Sequence, residues 1–160
     1  MNRPLPATLR PDWSQFLPSD ACAYRGPMLP FWFAVLFLVV ITIRSGIHLF
    51  APDGGAHSIA TIDTSVAGGP NIVAVFGQWG AIQLVLALLL WVLLLRYRGL
   101  TPLVLLVFTL EPFARGLSGH LKPLVTVGTA PGAALNWVVV PVLASMLWLS
   151  LCPVRSASRN

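Results

Sequence analysis

The chain has 160 residues, of which 56% are hydrophobic and only 9% are charged. A soluble domain carries about 25% charged residues and presents a large polar surface to water, so this composition argues against a soluble protein. The net charge of +5 is spread over single basic residues, without the dense basic patch and interleaved aromatic residues that are typical of nucleic-acid binding. We predict one domain that contacts the lipid bilayer and binds no nucleic acid.

The N-terminal residues 1–27 are polar and rich in proline, and they lack the apolar core of a secretory signal peptide. Trp13, Phe16 and Leu17 are interspersed with polar residues in this segment. Two interpretations are open: a short segment that rests on the membrane surface, or a disordered tail.

Four apolar segments follow in chain order, and each is long enough to cross about 30 Å of hydrocarbon as a helix. Their predicted bounds are Met28 to Phe50, Ile72 to Leu95, about Leu100 to Leu121, and about Ala133 to Leu151. Pro112 lies inside the third segment and is expected to kink it. The sequence therefore predicts an all-α fold, a four-transmembrane-helix bundle.

The distribution of basic residues predicts how the bundle is oriented. In a four-span arrangement, seven basic residues fall on one side: Arg3, Arg10, Arg25, Arg96, Arg98, Arg155 and Arg159. The glycine-rich segment 51–71, on the other side, has no Lys or Arg. By the positive-inside rule, we predict a multi-pass protein of the cell inner membrane with both termini in the cytoplasm. Residues 1–27 and 152–160 are then cytoplasmic tails, and residues 28–151 form the transmembrane domain.

Several polar side chains fall within the predicted spans. On the third segment, Glu111 and Arg115 begin a stripe at helical spacing, so they share one face. Arg44 and His48 are also four residues apart, on the first segment, and Gln78 lies beside a small-residue face of the second. In the four-span arrangement Glu111 lies near the middle of the bundle and the other four lie towards its outer side, so the five residues form a candidate intramembrane polar cluster.

The energy of burying charge indicates that this cluster needs partners. An Arg, Lys or Asp at the centre of a transmembrane helix costs roughly 2.5–3.5 kcal/mol on insertion scales. Glu111 is the only acid within the predicted spans, so we predict that it is ionised and bridges Arg115, Arg44 or both. Such a group fits a structural clamp, a binding cavity with net positive charge, or a catalytic site.

The outer loop carries a second set of candidate residues, Asp53, His57 and Asp63. They are possible metal ligands, but their spacing matches no metal-binding motif, and solvation of the loop is the alternative use. His48 and His120 are possible haem ligands, also without a recognised motif. No catalytic or metal-binding residue is assigned from the sequence, and the cofactor stays unknown.

Three stretches, RSGIHLFAPDGGAHSIATID, FGQWG and RGLSGHLKP, resemble small bacterial four-helix membrane proteins and are loosely similar to the DoxX-like group. The resemblance covers about Met28 to Leu151 and is carried by the architecture, the charged third helix and the glycine-rich outer loop. It implies a four-helix fold in a bacterial inner membrane. DoxX-like proteins have been linked to redox partners, but this chain shares no redox motif with them, and the resemblance implies no site residue.

The sequence favours one function and leaves two others open. A small chain with faces suited to helix packing and no catalytic motif is typical of an accessory or scaffold subunit of a membrane complex, or of a homo-oligomer. The second hypothesis is a small-molecule or anion binding or transport protein with an outward-facing polar cavity. The third is a membrane-embedded enzyme.

Overall fold

The structure, a computed structural model, describes residues 5–129 and 131–154. In these residues the chain forms α-helices and short 3₁₀ helices and no β-strand. The α-helices are α1 (Met28–Phe50), α2 (Gly69–Arg96), α3 (Thr101–Leu121) and α4 (Pro131–Ser150), and the 3₁₀ helices are Trp13–Phe16 and Arg98–Leu100. The prediction of an all-helical fold is confirmed, and a four-helix bundle is consistent with it.

The helix bounds follow local backbone preferences. α1 has the predicted bounds, whereas α2 begins at Gly69, three residues before the predicted start. The reason is that Gly68 adopts a left-handed conformation, with φ of 91°, and Pro70 suits the first turn of a helix. α3 and α4 each contain an internal proline, Pro112 and Pro141. The kink expected at Pro112 stays a prediction.

Three helical stretches are long and apolar enough to cross a membrane: Met28–Phe50, Gly69–Arg96 and Arg98–Leu121. Within α4, the apolar helical stretch Val138–Ser150 is shorter. These lengths and compositions indicate a multi-pass membrane protein.

The helices join at two ends of the molecule. We call the end that carries segments 51–68 and 122–129 the loop end, and the end that carries both termini the tail end. An apolar core fills the half of the structure nearest the tail end, and all four helices contribute to it: Ala34, Leu38, Ala87, Leu90, Leu94, Val104, Leu105, Phe108 and Leu143.

Packing is uneven in the half nearest the loop end. There α1 and α2 lie in close contact, since the Ser45 hydroxyl donates to Gln83 Oε1 at 3.0 Å and both His48 and Gly80 are buried. In α3, by contrast, every residue from 113 to 121 is exposed except Arg115, which is half-buried. The shared core of the four helices therefore ends about halfway along them.

The N-terminal segment packs against the tail end. The Asp12 N–H donates to the Leu151 carbonyl at 2.8 Å, and the Val154 N–H donates to the Arg25 carbonyl at 3.0 Å. These contacts favour a docked segment over a free tail. Three residues that entered the predicted orientation lie outside the described residues: Arg3, Arg155 and Arg159.

Candidate functional site

Glu111 and Arg115 form a two-pronged ion pair on α3. Arg115 Nε donates to Glu111 Oε1 at 3.1 Å, and Arg115 Nη2 donates to Glu111 Oε2 at 3.2 Å. The two residues are one helical turn apart, which brings the side chains together. Nη2 also donates to Asn136 Oδ1 at 3.0 Å, so the same guanidinium joins α3 to α4. The contact predicted between Glu111 and Arg115 is present.

Arg44 lies apart from this ion pair. Its guanidinium carbon is 5.8 Å from the ring centroid of Trp79, a cation–π contact. Glu111 and Arg115 both act on Arg44 electrostatically, yet no ion pair joins Arg44 to a carboxylate among the described residues. Its Nε is enclosed and has no hydrogen-bond partner in the part of the chain that the structure describes. Of the two partners predicted for Glu111, only Arg115 is in direct contact.

The charges of this group do not balance. Arg44 and Arg115 supply two positive charges, and Glu111 supplies one negative charge. Both oxygens of Glu111 accept hydrogen bonds from Arg115, so this carboxylate is already engaged. The group of Arg44, Glu111 and Arg115, which we call the arginine group, therefore has a net charge of +1.

The arginine group lies between the apolar core and the loop end. Arg44 precedes the end of α1 at Phe50 by six residues, and Arg115 precedes the end of α3 by six residues as well. At a rise of 1.5 Å per residue, both are about 9 Å from the loop end along the helix axes. On the other side, Phe108 belongs to the apolar core and Phe37 packs against it, with the two ring centroids 5.1 Å apart.

Two members of the predicted cluster do not join the arginine group. His48 is buried, and its Nδ1 donates to the Gly54 carbonyl at 2.8 Å, which ties α1 to the following loop. Its ring lies 4.7 Å from that of Trp79, between centroids. The Gln78 side chain is exposed on α2 and forms no hydrogen bond with any described residue. The cluster is therefore smaller than the sequence predicted.

The two loops at the loop end are fastened to each other. The Val127 N–H donates to the Thr61 carbonyl at 2.9 Å, and the Thr61 hydroxyl donates to the Gly128 carbonyl at 2.8 Å. Ile62 and Thr126 form an antiparallel bridge beside these bonds. Thr61 has φ of 57°, which is rare for a β-branched residue. This contact, the loop clasp, connects the α1–α2 pair with the α3–α4 pair beyond the arginine group.

Asp53 shapes the loop that follows α1. Its carboxylate accepts from the Gly55 N–H at 2.9 Å and from the Ser58 N–H at 2.8 Å. The bonds from Ser58 and then Gly55 stabilise the charged form and lower the pKa of Asp53 to about 2. Asp53 therefore acts as a turn-forming residue.

The other loop candidates are also engaged locally. The Asp63 carboxylate accepts from the N–H and the hydroxyl of Ser65, and these bonds lower the pKa of Asp63. His57 Nδ1 donates to the Ile62 carbonyl at 3.2 Å. Among the described residues, no three side chains of the metal-binding types come together. Each of the three loop candidates therefore has a hydrogen-bond partner within its own loop, and their use as metal ligands stays a prediction.

Two contacts in the site were not predicted. Asn136 lies near the start of α4, and its contact with Arg115 spans 21 residues. The Trp79 ring on α2 lies beside both Arg44 and His48 of α1. Helical periodicity relates residues of one helix only, so neither contact had a signal in the sequence.

Comparisons of the chain with protein-family models, with curated proteins and with solved structures find no match. None of these comparisons supports the resemblance to the DoxX-like group, which stays an expectation from the sequence. Any function for this chain has to be inferred from its own side chains, and the arginine group is the place where their chemistry is most unusual for a membrane interior.

Proposed function

We propose that the chain is a four-span protein of the inner membrane, with both termini in the cytoplasm, that binds an organic anion at Arg44 from the outer side. The fourth span in this proposal is α4, with 20 residues. Four arginines lie at the tail end in the described residues, namely Arg10, Arg25, Arg96 and Arg98, whereas the loop between α1 and α2 contains no Lys or Arg. This asymmetry supports a cytoplasmic tail end.

The observation that carries the proposal is the unpaired charge of Arg44. A guanidinium within a membrane span is stable when it has a counter-ion or water, since an unpaired one costs roughly 2.5–3.5 kcal/mol at the helix centre on insertion scales, and less towards the helix end. Glu111 is held by Arg115, and the enclosed Nε of Arg44 has no acceptor among the described residues. An oxyanion beside Arg44 supplies both the acceptor and the missing negative charge.

The surroundings of the arginine group favour an anion with an apolar body. Val40 and Ile47 lie one helical turn from Arg44 on α1, and their exposed fractions are 55% and 40%. A carboxylate or phosphate head at Arg44 then places an attached alkyl chain beside apolar side chains. The proposed ligand class is therefore an amphiphilic carboxylate or phosphate, and decanoate is a suitable probe.

The test compares decanoate with decanol, which has the same chain length and no charge, on the protein in nanodiscs. Decanoate is expected to raise the melting temperature more than decanol does, because a ligand that binds only the folded state stabilises it by about 2.7 kcal/mol at a hundred times its Kd. Arg44→Gln should abolish this difference. Arg96→Gln is the matched control, since Arg96 is exposed at the tail end. Equal effects of decanoate on Arg44→Gln and wild type would contradict the proposal.

A second candidate function is the accessory subunit that the sequence favoured. It is supported by the half of α3 near the loop end, where Gly116 and Gly119 have open space around their Cα atoms and Ser118 and His120 are exposed. In membranes, small and polar residues are typical of helix–helix contacts. The partner proposed here is a transmembrane helix of another subunit that lies against this face of α3.

Mass analysis after extraction in mild detergent tests this second function. An assembly heavier than the 17.2 kDa chain is expected for the wild type. Gly116→Leu should release the chain as a monomer, because the added side chain fills the space that the partner helix would occupy. A wild-type protein that is extracted as a monomer with only lipid attached would argue against an accessory subunit.

A further inference from the structure

The N-terminal segment carries four large apolar side chains that are mostly exposed. The exposed fractions are 58% for Leu5, 67% for Leu9, 62% for Trp13 and 76% for Leu17. The backbone of the same segment is fastened to the helices, as the bond from the Asp12 N–H to the Leu151 carbonyl shows. The segment is therefore docked while more than half of the surface of each of these four side chains stays exposed.

The position of the segment is defined by Trp148, two residues before the end of α4. Trp148 Nε1 donates to the Leu9 carbonyl at 3.3 Å, and the Trp148 and Trp13 rings meet edge to face with centroids 6.1 Å apart. Trp13 also stacks on Phe16. Aromatic residues near the end of a membrane span gather at the level of the lipid headgroups. The segment thus lies beside α4 at that level, and not beyond it in water.

The charges around the segment have a positive balance. Four exposed arginines lie at this end in the described residues, Arg10, Arg25, Arg96 and Arg98, and two acids, Asp12 and Asp20, lie among them. Both acids are engaged locally, Asp12 by the N–H and hydroxyl of Ser14 and Asp20 by the N–H of Cys22. A net charge of +2 remains, which complements an anionic membrane surface.

We infer that residues 5–17 form an interfacial anchor that inserts Leu5, Leu9, Trp13 and Leu17 into the boundary between headgroups and acyl chains of an anionic phospholipid leaflet. The surrounding arginines contact the lipid phosphates. This inference goes beyond the anion site at Arg44 and rests on the proposed spanning of the bilayer. Apolar side chains with adjacent basic residues are the usual composition of segments that lie in the membrane interface.

The test places a fluorescent label at Leu17→Cys and, as a matched control, at the exposed polar neighbour Ser19→Cys. Both changes are made in a Cys22→Ser background, which leaves only Cys152, a buried residue. The full-length protein is reconstituted in nanodiscs that contain either phosphatidylglycerol or phosphatidylcholine. The two leaflets of a nanodisc are alike, so the result does not depend on the orientation of the chain, and no decanoate is present.

The label at residue 17 should be quenched by a lipid that carries a shallow nitroxide and should be several-fold less accessible to aqueous acrylamide than the label at residue 19. The protection should be greater in phosphatidylglycerol, and the double change Arg10→Gln and Arg25→Gln should remove that excess. Equal acrylamide quenching at both positions would overturn the anchor. Equal protection in the two lipids would overturn its preference for anionic lipid. Neither outcome bears on ligand binding at Arg44.

Discussion

Both carboxylate oxygens of Glu111 accept hydrogen bonds from Arg115, and no other acid of the described residues pairs with Arg44. Glu111 pairs with Arg115 because the two residues are one turn apart on α3, whereas Arg44 belongs to a different helix. The second contact of Arg115, to Asn136, holds its guanidinium in place. The residue that needs a partner from outside the chain is therefore Arg44.

Substitution of the ion pair tests how these residues depend on one another. Glu111→Gln should lower the free energy of unfolding by about 2 kcal/mol, the range of a charged hydrogen bond, because two arginines then lack an acid. Arg115→Gln should have a smaller effect, since Glu111 can then pair with Arg44.

The double variant should fall short of the sum of the single effects by about 1 kcal/mol or more. Reversible unfolding in mixed detergent micelles measures all three values. Strictly additive effects would contradict the idea that Glu111 and Arg115 act as one unit.

The carboxylate of Asp53 allows a prediction about pH. Its pKa of about 2 in the folded protein is lower than the usual value of about 3.9 in an unfolded chain. The contribution of Asp53 to loop stability is therefore complete above about pH 4 and is lost as the pH falls through about 2. The amide NMR signals of Gly55 and Ser58, which donate to this carboxylate, should shift with a midpoint near 2. Asp53→Asn should remove the transition, and a midpoint near 4 would contradict the bonded geometry.

At the scale of helices, two pairs are held together by different means. α1 and α2 approach closely at Gly80, where a Cβ atom would lie 2.7 Å from His48 Cβ and 2.7 Å from the Leu49 nitrogen. Near the loop end, α3 and α4 are joined by the polar contact between Arg115 and Asn136. The loop clasp at Thr61 then links the two pairs. The arginine group lies where close packing gives way to polar contacts.

Gly80→Ala should force α1 and α2 apart and lower the free energy of unfolding by about 1–3 kcal/mol, the usual effect of overpacking. Gly46→Ala in α1 is a matched control, because nothing lies within 4 Å of a Cβ atom there. That change should leave stability unaltered or raise it by up to about 1 kcal/mol, since alanine favours the helix. Thermal unfolding of both variants is the measurement. A similar loss of stability in the two variants would contradict the close approach at Gly80.

At the scale of the whole molecule, apolar and polar packing occupy different halves. The apolar core lies towards the tail end, and the arginine group and the loop clasp lie towards the loop end. The proposed anion site thus lies in the half with polar contacts. The proposed interfacial anchor lies at the tail end, where the N-terminal segment is bonded to the ends of the helices.

Much of this architecture could be predicted from the sequence. Length and hydropathy were sufficient for α1, whose bounds agree with the prediction, because both depend on consecutive residues. The contact of Glu111 with Arg115 was also predictable, because the two residues are one helical turn apart. The docking of the N-terminal segment and the partner of Asn136 were not, since each depends on residues that meet only after folding. His48 was assigned to the polar cluster because it shares a face with Arg44, but its ring is turned to the Gly54 carbonyl.

The most direct test of the anion site is to supply the missing negative charge within the chain. Asn136→Asp keeps the size of the side chain and its contact with Arg115. The new carboxylate adds one negative charge, so that the net charge of the arginine group plus residue 136 is zero. The measurement is the melting temperature of wild type and variant, each with and without decanoate. The account predicts that Asn136→Asp melts at a higher temperature without decanoate and loses most of the decanoate-induced rise. A lower melting temperature with an undiminished decanoate effect would contradict the assignment of Arg44 as an anion site.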